Sequence, residues 1–212
     1  MKFVLSSLVA SCALLLPVLA HAQELGEKGD LIFSADRLMG ITANKVDYDV
    51  NPYFNNVFDN EWTSINFLWK QPTGPNTLDM PRLGIDYVAL EHLTFGGSLA
   101  FSSIDPDRGG TVTAFLFEPR VGYMYSFNKT IGIWPRGGVT YHSLSEDGGW
   151  TWKALAFTAE CPVTISPAQH FAFHIGPTFD IDMFGSVKNQ PGQSVDVTMR
   201  SFGLNAGLLG WF

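Results

Sequence analysis

The sequence predicts an all-β fold, an eight-stranded antiparallel up-and-down transmembrane β-barrel, and three observations carry that prediction. Eight segments alternate at period two, the spacing at which successive side chains of a strand point to opposite faces. In the mature chain, no stretch approaches the roughly 18 uninterrupted apolar residues that a membrane-spanning helix requires. The connections between segments alternate long and short, the asymmetry of a barrel with loops at one end and tight turns at the other.

The first segment, from about Leu31 to Thr42, sets Leu31, Phe33, Ala35, Met39 and Ile41 against Ile32, Ser34, Asp36, Leu38 and Gly40. The second, Pro81 to Leu90, sets Leu83, Ile85, Tyr87 and Ala89 against Arg82, Gly84, Asp86 and Val88. In the third, Leu93, Phe95, Gly97, Leu99 and Phe101 oppose Thr94, Gly96, Ser98, Ala100 and Ser102. The fourth opposes Phe115, Phe117, Pro119, Val121, Tyr123 and Tyr125 to Leu116, Glu118, Arg120, Gly122 and Met124. The fifth opposes Ile131, Ile133, Val139 and Tyr141 to Trp134, Arg136, Gly138 and His142. In the sixth, Leu155, Phe157, Ala159 and Val163 lie across from Ala156, Thr158 and Glu160. The seventh places Phe171, Phe173, Ile175, Phe179 and Ile181 across from His174, Gly176, Thr178, Asp180 and Asp182, and the eighth runs from Val195 to Phe212. Each is near the 9 to 11 residues of a tilted transmembrane strand, and the even count suits a closed barrel.

Long polar connections are expected at Ala43 to Met80, Ser103 to Val112, Ser143 to Trp150 and Gly185 to Ser194. Short ones are expected at Glu91 with His92, Phe127 to Thr130, and Thr164 to His170. The first loop, about 43–80, is the unusual one, holding Tyr48, Tyr53, Phe54, Phe58, Trp62 and Trp69 with several asparagines between them. Structureless loops of that length are uncommon unless functional or partly ordered. Thr63, Ile65, Phe67 and Trp69 alternate with Ser64, Asn66, Leu68 and Lys70, so part of it extends the sheet as an external hairpin, or else it forms an exposed binding surface.

At the N-terminus, Lys2 precedes an apolar run to Ala20, and Ala20, His21, Ala22 match the small-x-small pattern of a signal-peptidase site. Residues 1–22 therefore read as an export signal and 23–212 as one barrel domain; a lipobox ending on Cys12 is the rival reading. Removing Lys2 shifts the formal charge from -7 to -8, which argues against nucleic-acid partners. Cys161 is the only mature cysteine, so a disulfide within the mature chain and a thiolate metal cluster are both excluded. A composition that is 46% hydrophobic and 14% aromatic would aggregate as a water-facing surface but suits one that faces lipid.

The final segment puts Phe202, Leu204, Ala206, Leu208, Gly210 and Phe212 on one face and Ser201, Gly203, Asn205, Gly207, Leu209 and Trp211 on the other. A chain that stops on an aromatic residue at the end of such a strand resembles the outer-membrane β-barrel family, in particular the small eight-stranded proteins of the OmpA-barrel and OmpX type. The resemblance covers essentially all of the mature chain and rests on pattern, turn asymmetry and Phe212. It implies the outer membrane of a Gram-negative bacterium, an environment of outer-membrane lipid and lipopolysaccharide, and a last strand that the barrel-assembly machinery reads through Trp211 and Phe212. Because no periplasmic tethering domain is read after the barrel, the barrel and its loops are expected to be the whole mature protein. Tyr87, Phe95, Phe101, Tyr123, Tyr125, Tyr141, Phe171 and Phe212 fall on apolar faces, where aromatic girdles belong.

The other faces carry a barrel-interior charged network of Asp36, Arg82, Asp86, Glu118, Arg120, Arg136, Glu160, His174, Asp180 and Asp182, with His142 beside it. An eight-stranded lumen is only wide enough for side chains and a few waters, so these groups are expected to pair across it and fill it. Asp36 and Arg37 are adjacent in mid-strand, where a regular pleat would aim one at lipid, so a β-bulge that turns both inward is expected. Arg200 falls on the lipid side, about 12 residues before the terminus and hence at outer headgroup level.

A hydrolytic reading needs a hydroxyl, a histidine base and an orienting carboxylate; the nearest set by sequence is His142 with Ser143 or Ser145 and Glu146. Residues 142 and 143 point to opposite faces, and the spacing does not reproduce that of lipid A deacylases. Asp47 with Asp49, and Asp105 with Asp107, read as turn residues rather than cation ligands, and the Gly109-Gly110 and Gly148-Gly149 pairs read as loop tips. The sequence thus leads to a non-enzymatic barrel with a structural or surface-interaction role and no cofactor or metal. A lipid A-modifying enzyme, a narrow channel, and a soluble lipocalin-like barrel with its apolar face inward are the alternatives.

Overall fold

The computed structural model describes residues 25–49, 60–68, 76–105, 110–189 and 194–212. The export signal, Cys12, and Asn51, Tyr53, Phe54, Phe58, Trp69, Asp107 and Gly109 of the loops lie outside the described residues. Among the described residues twelve strands are formed: β1 Leu31–Asp49, β2 Asn60–Phe67, β3 Arg82–Leu90, β4 Leu93–Ile104, β5 Val112–Tyr123, β6 Tyr125–Ser126, β7 Ile131–Ile133, β8 Arg136–Glu146, β9 Trp150–Glu160, β10 Val163–Ala168, β11 Phe171–Asn189 and β12 Ser194–Trp211.

Eight of these, β1, β3, β4, β5, β8, β9, β11 and β12, pair antiparallel around a ring, and β12 returns to β1 from Ile32↔Trp211 to Asp49↔Asp196. Closure removes the unpaired edges that an open sheet would expose. The short β6, β7 and β10 continue β5, β8 and β9 beyond breaks at Met124, Trp134 with Pro135, and Cys161 with Pro162. Proline has no N–H to give a ladder, so these interruptions are local. The Tyr123 N–H donates to the Pro135 carbonyl at 2.8 Å and the Trp134 N–H to that of Pro162 at 2.8 Å, carrying the wall through.

Several strands outrun their expected lengths at the loop end. β1 continues to Asp49, β8 to Glu146 and β11 to Asn189, so the connections expected from 43, 143 and 185 begin later. The hairpin expected in the first loop is present, with β2 pairing along β1 from Met39↔Phe67 to Val46↔Asn60. Above Asp36 that edge of β1 is satisfied by β2, because β3 pairs with it only from Leu31↔Tyr87 to Asp36↔Arg82. Residues 76–80, expected as loop, are instead buried.

The wall is inside out. Phe117 is 48% exposed and Val121 45%, whereas their neighbours Glu118 and Arg120 are 1% and 5% exposed. A water-soluble barrel would invert that order, so the lipocalin-like alternative is excluded. The interior is layered along the barrel axis. At the turn end Leu25, Ile32, Val88, Met124, Trp134, Ala172, Leu209 and Trp211 form one apolar cluster. At the loop end Val46, Leu78, Met80, Leu116, Leu144, Trp152, Val197 and Met199 anchor another. Most of the ionisable groups lie between them, which corrects the expectation of a lumen polar throughout: the inward face of β5 switches from apolar to charged and back through Leu116, Glu118, Arg120 and, past its end, Met124.

Candidate functional site

The middle layer begins at the bulge in β1. The register with β12 shifts between Ala35 and Met39, and Arg37 adopts a left-handed φ of 53°. Two neighbours thereby face the same way: Asp36 and Arg37 are 0% and 1% exposed, as the sequence requires.

Four guanidinium groups face five carboxylates. Arg37 donates through Nη2 to Glu160 at 2.8 Å and through Nη1 to Asp180 at 2.7 Å. Arg136 reaches Glu160 at 2.6 Å and Asp36 at 2.8 Å. Arg120 reaches Asp36 at 2.7 Å and grips Asp86 with two bonds of 2.6 and 3.0 Å. Arg82 donates to Glu118 at 2.6 Å, and Ser98 to the same oxygen at 2.8 Å. His174 Nε2 lies 3.1 Å from Asp36, and the Arg136 and Arg120 guanidiniums sit 4.5 and 5.5 Å from the Trp134 ring centre. Breaking one link of such a network strands its partner in a low-dielectric interior, so the layer stands or falls together. Glycine makes room for it: a Cβ on Gly84 would meet the Ser34 hydroxyl and come within 2.5 Å of Arg120 Nη2.

Nine of the ten residues expected in the network are joined in this layer. Asp182 is buried too, but it sits nearer the loop end, where Oδ1 lies 2.9 Å from His142 Nε2 and Oδ2 accepts the Met199 N–H at 3.0 Å. Sequence reasoning turned Arg37 inward without placing it in the network, and it missed the segment 76–80 altogether. That segment dives into the lumen, and its Leu78 carbonyl accepts bonds of 2.6 Å from both Arg37 and Arg82. Asp79 is held by Asn76 at 2.5 Å, by Asn44 at 3.3 Å and by Ser64. No period-two pattern marks these residues, since they belong to no strand.

Thr77 Oγ1 lies 2.6 Å from His142 Nδ1, so Thr77, His142 and Asp182 form a hydroxyl–imidazole–carboxylate relay. The hydroxyl that meets His142 is thus neither Ser143 nor Ser145, the candidates set aside on sequence grounds. Acyl transfer needs a hydroxyl that substrate can reach and donors for an oxyanion beside it. Thr77 is 2% exposed and adjoins Leu78 of the loop-end cluster, and its contact with His142 ties 76–80 to β8 inside the barrel.

The turn end is sealed by the residues before β1. Leu25 joins the lower cluster, and Asp30 Oδ2 accepts N–H bonds from Gly26 at 3.3 Å and Glu27 at 3.1 Å. Burial raises the Asp30 carboxyl above its ordinary value, against the pull of those two N–H groups. Trp211 points inward and is buried, while Phe212 lies outside at 76% exposure, stacked 6.0 Å from His170 and edge-on to Phe33 at 6.3 Å.

No protein-family model and no curated protein matches the sequence. Solved structures do. The outer membrane protein AlkL, determined by solid-state NMR in lipid bilayers, aligns over 93% of this chain and 95% of its own at 11% identity and a TM-score of 0.56. OprG of Pseudomonas aeruginosa aligns over 91% and 99% at 10% identity and a TM-score of 0.52. Identities this low speak to architecture alone, and on that point they agree with the strand order and the inverted wall: this chain has the fold of the small eight-stranded outer-membrane β-barrels.

Proposed function

We propose that this chain is a non-enzymatic outer-membrane barrel with a structural or surface-interaction role, its lumen serving stability and its loop end serving contact. One observation carries the reading: the lumen is blocked three times, by the Trp134 and Trp211 cluster, by the arginine–carboxylate layer and by the inserted 76–80 segment. A conduit needs a continuous path, and an acyl hydrolase needs an open nucleophile; the blocked lumen and the sealed Thr77 weigh against both. The environment we infer is outer-membrane lipid and lipopolysaccharide outside the wall. The barrel-assembly machinery is the inferred partner during insertion, with Phe212 presented at the free end of β12. An acidic formal charge of -7 supports no nucleic-acid partner.

Planar-bilayer recording on the purified barrel tests the channel alternative: silence is expected, and stepwise conductance by the folded wild-type barrel would overturn the closed-lumen reading. Comparing lipid A acylation in cells with and without the gene tests the enzyme alternative. A change that Thr77→Val abolishes would overturn the non-enzymatic assignment.

A further inference from the structure

On four neighbouring strands the outward face ends its apolar run and turns polar toward the loop end. Phe115 of β5 gives way to Thr113, Tyr141 of β8 to Ser143 and Ser145, Leu155 of β9 to Lys153 and Thr151, and Phe184 of β11 to Ser186 and Lys188. The first residues beyond the apolar band of an outer-membrane barrel lie among lipid head groups. Here they are hydroxyls and two lysines.

Strand pairing brings these groups together. Thr113 lies opposite Ser145, Ser145 opposite Thr151, and Thr151 opposite Lys188, so one cross-strand row spans β5 to β11. Lys153 lies opposite Ser186 in the adjoining row, which makes it the diagonal neighbour of Lys188, about 7 to 8 Å away at the backbone. Both lysines are exposed, and neither makes an ion pair among the described residues. Two like charges at that spacing repel, and an anion between them turns the repulsion into attraction on both sides. The β8–β9 turn forms the other side of the site. It is fixed by two backbone bonds of 3.0 Å, from the Gly149 N–H to the Glu146 carbonyl and from the Asp147 N–H to the Thr111 carbonyl. Residues of this turn line an open cleft of about 510 Å³ together with Thr113, Ser145, Thr151 and Lys188. That volume falls in the range of small-molecule sites, and hydroxyls beside the Glu146 and Asp147 carboxylates offer the mixed donors and acceptors that a saccharide needs.

We propose that this cleft holds the saccharide of a phosphorylated outer-leaflet glycolipid, its sugar hydroxyls on Thr113, Ser145, Thr151 and the turn carboxylates and its phosphate between Lys153 and Lys188. The same strands present exposed Phe115 and Tyr141 immediately below, where the acyl chains of such a lipid lie, which favours a glycolipid over a free sugar. The site rests on the reading of this wall as lipid-facing, and it names the lipid that the loop end of the wall selects.

Native mass spectrometry of the full barrel in detergent tests the site with three probes: a bisphosphorylated glucosamine-disaccharide lipid, the same lipid with its phosphates removed, and phosphatidylglycerol. The wild type should retain the first about tenfold more strongly than either of the others, as two exposed charge contacts and a row of hydroxyls allow. K153A/K188A should erase the preference over the dephosphorylated lipid, while K129A, which removes a cation between β6 and β7 at the turn end, should keep it. T113A/S145A/T151A should erase the preference over phosphatidylglycerol. Heat-modifiable gel mobility establishes that each variant is folded. Equal retention by the wild type of the first lipid and either of the others would overturn the site, as would either preference surviving the variant meant to erase it. So would binding that requires a divalent cation and is lost in E146Q/D147N, which would make the carboxylates the ligands. Protein that stayed monodisperse without detergent would instead sink the membrane reading itself, a separate outcome.

Discussion

Replacing Arg37 with alanine is the sharpest test of the middle layer, because three separate structures meet at that side chain. It donates four bonds to Glu160 and Asp180 and a fifth to the Leu78 carbonyl. Glu160 would keep Arg136, but Asp180 would be left with the Thr158 hydroxyl at 2.7 Å, a neutral donor facing a buried charge. Removing one partner of a buried pair costs about 3 to 5 kcal/mol, most of it the desolvation of the charge left behind. The assay is urea unfolding of the barrel in phosphatidylcholine vesicles, followed by tryptophan fluorescence. Two companions apportion the loss. Asp180→Asn in the Arg37→Ala background should restore stability, because the stranded charge is gone, with a coupling of about 2 kcal/mol between the two sites. Arg37→Gly should be about 1 kcal/mol less damaging than Arg37→Ala, because a φ of 53° strains any residue with a Cβ. An Arg37→Ala barrel within about 0.5 kcal/mol of the wild type would refute the argument, since that is the range of a surface change far from any such network.

Four further outcomes follow from the same geometry. Gly84→Ala drives a methyl group to 2.5 Å from Arg120 Nη2 and should cost about 1 to 3 kcal/mol in the same urea assay. Thr77→Val leaves His142 Nδ1 without its 2.6 Å partner, so the 76–80 insert should lose hydrogen-exchange protection at a cost of about 1 to 3 kcal/mol, while lipid A is unchanged. Because Asp30 is raised in the folded state, its contribution is greatest below the ordinary carboxylate value and is lost as pH rises through the folded value. Asp30→Asn should therefore flatten the fall in stability between acidic and neutral pH. In a Cys161→Ser background, a lipid-soluble maleimide should label Phe117→Cys and Val121→Cys but spare Glu118→Cys and Arg120→Cys; the reverse pattern would refute the inverted wall.

The barrel was legible because its strands obey two independent rules at once. Period two separates Phe117 from Glu118, and turn asymmetry orders the strands without any long-range information. The bulge was legible for a related reason: Asp36 and Arg37 adjacent in mid-strand leave no other way to keep both charges out of lipid. Where the sequence was silent, the cause was contact across the lumen. Nothing local tells Leu78 that its carbonyl will meet Arg37 and Arg82, or Thr77 that its hydroxyl will meet His142. Partners so far apart in the chain leave no trace in a pattern of neighbours. The lengths of β1, β8 and β11 were underread because pairing continues above the membrane, where side-chain alternation is no longer enforced on the outward face.

A core of well-packed apolar residues would often be as stable as four buried arginines, or more so, which raises the question of why this lumen is charged. Two constraints favour the charges. With apolar residues on both faces, a one-residue slip of any strand would exchange inside for outside at no cost; Glu118 and Arg120 make that slip expensive by carrying charge into lipid, so they set register. The second constraint acts before folding. Had the inward positions of β12 been apolar, residues 201–212 would have formed one continuous apolar run, a large part of the roughly 18 residues at which a chain is read as a membrane-spanning helix. Ser201 and Asn205 on β12, like Asp180 on β11, interrupt such a run while filling the lumen afterwards. On this argument the apolar clusters at the two ends supply the burial and the middle layer supplies uniqueness. Neutralising the layer as a whole should therefore be tolerated far better by stability than by correct insertion.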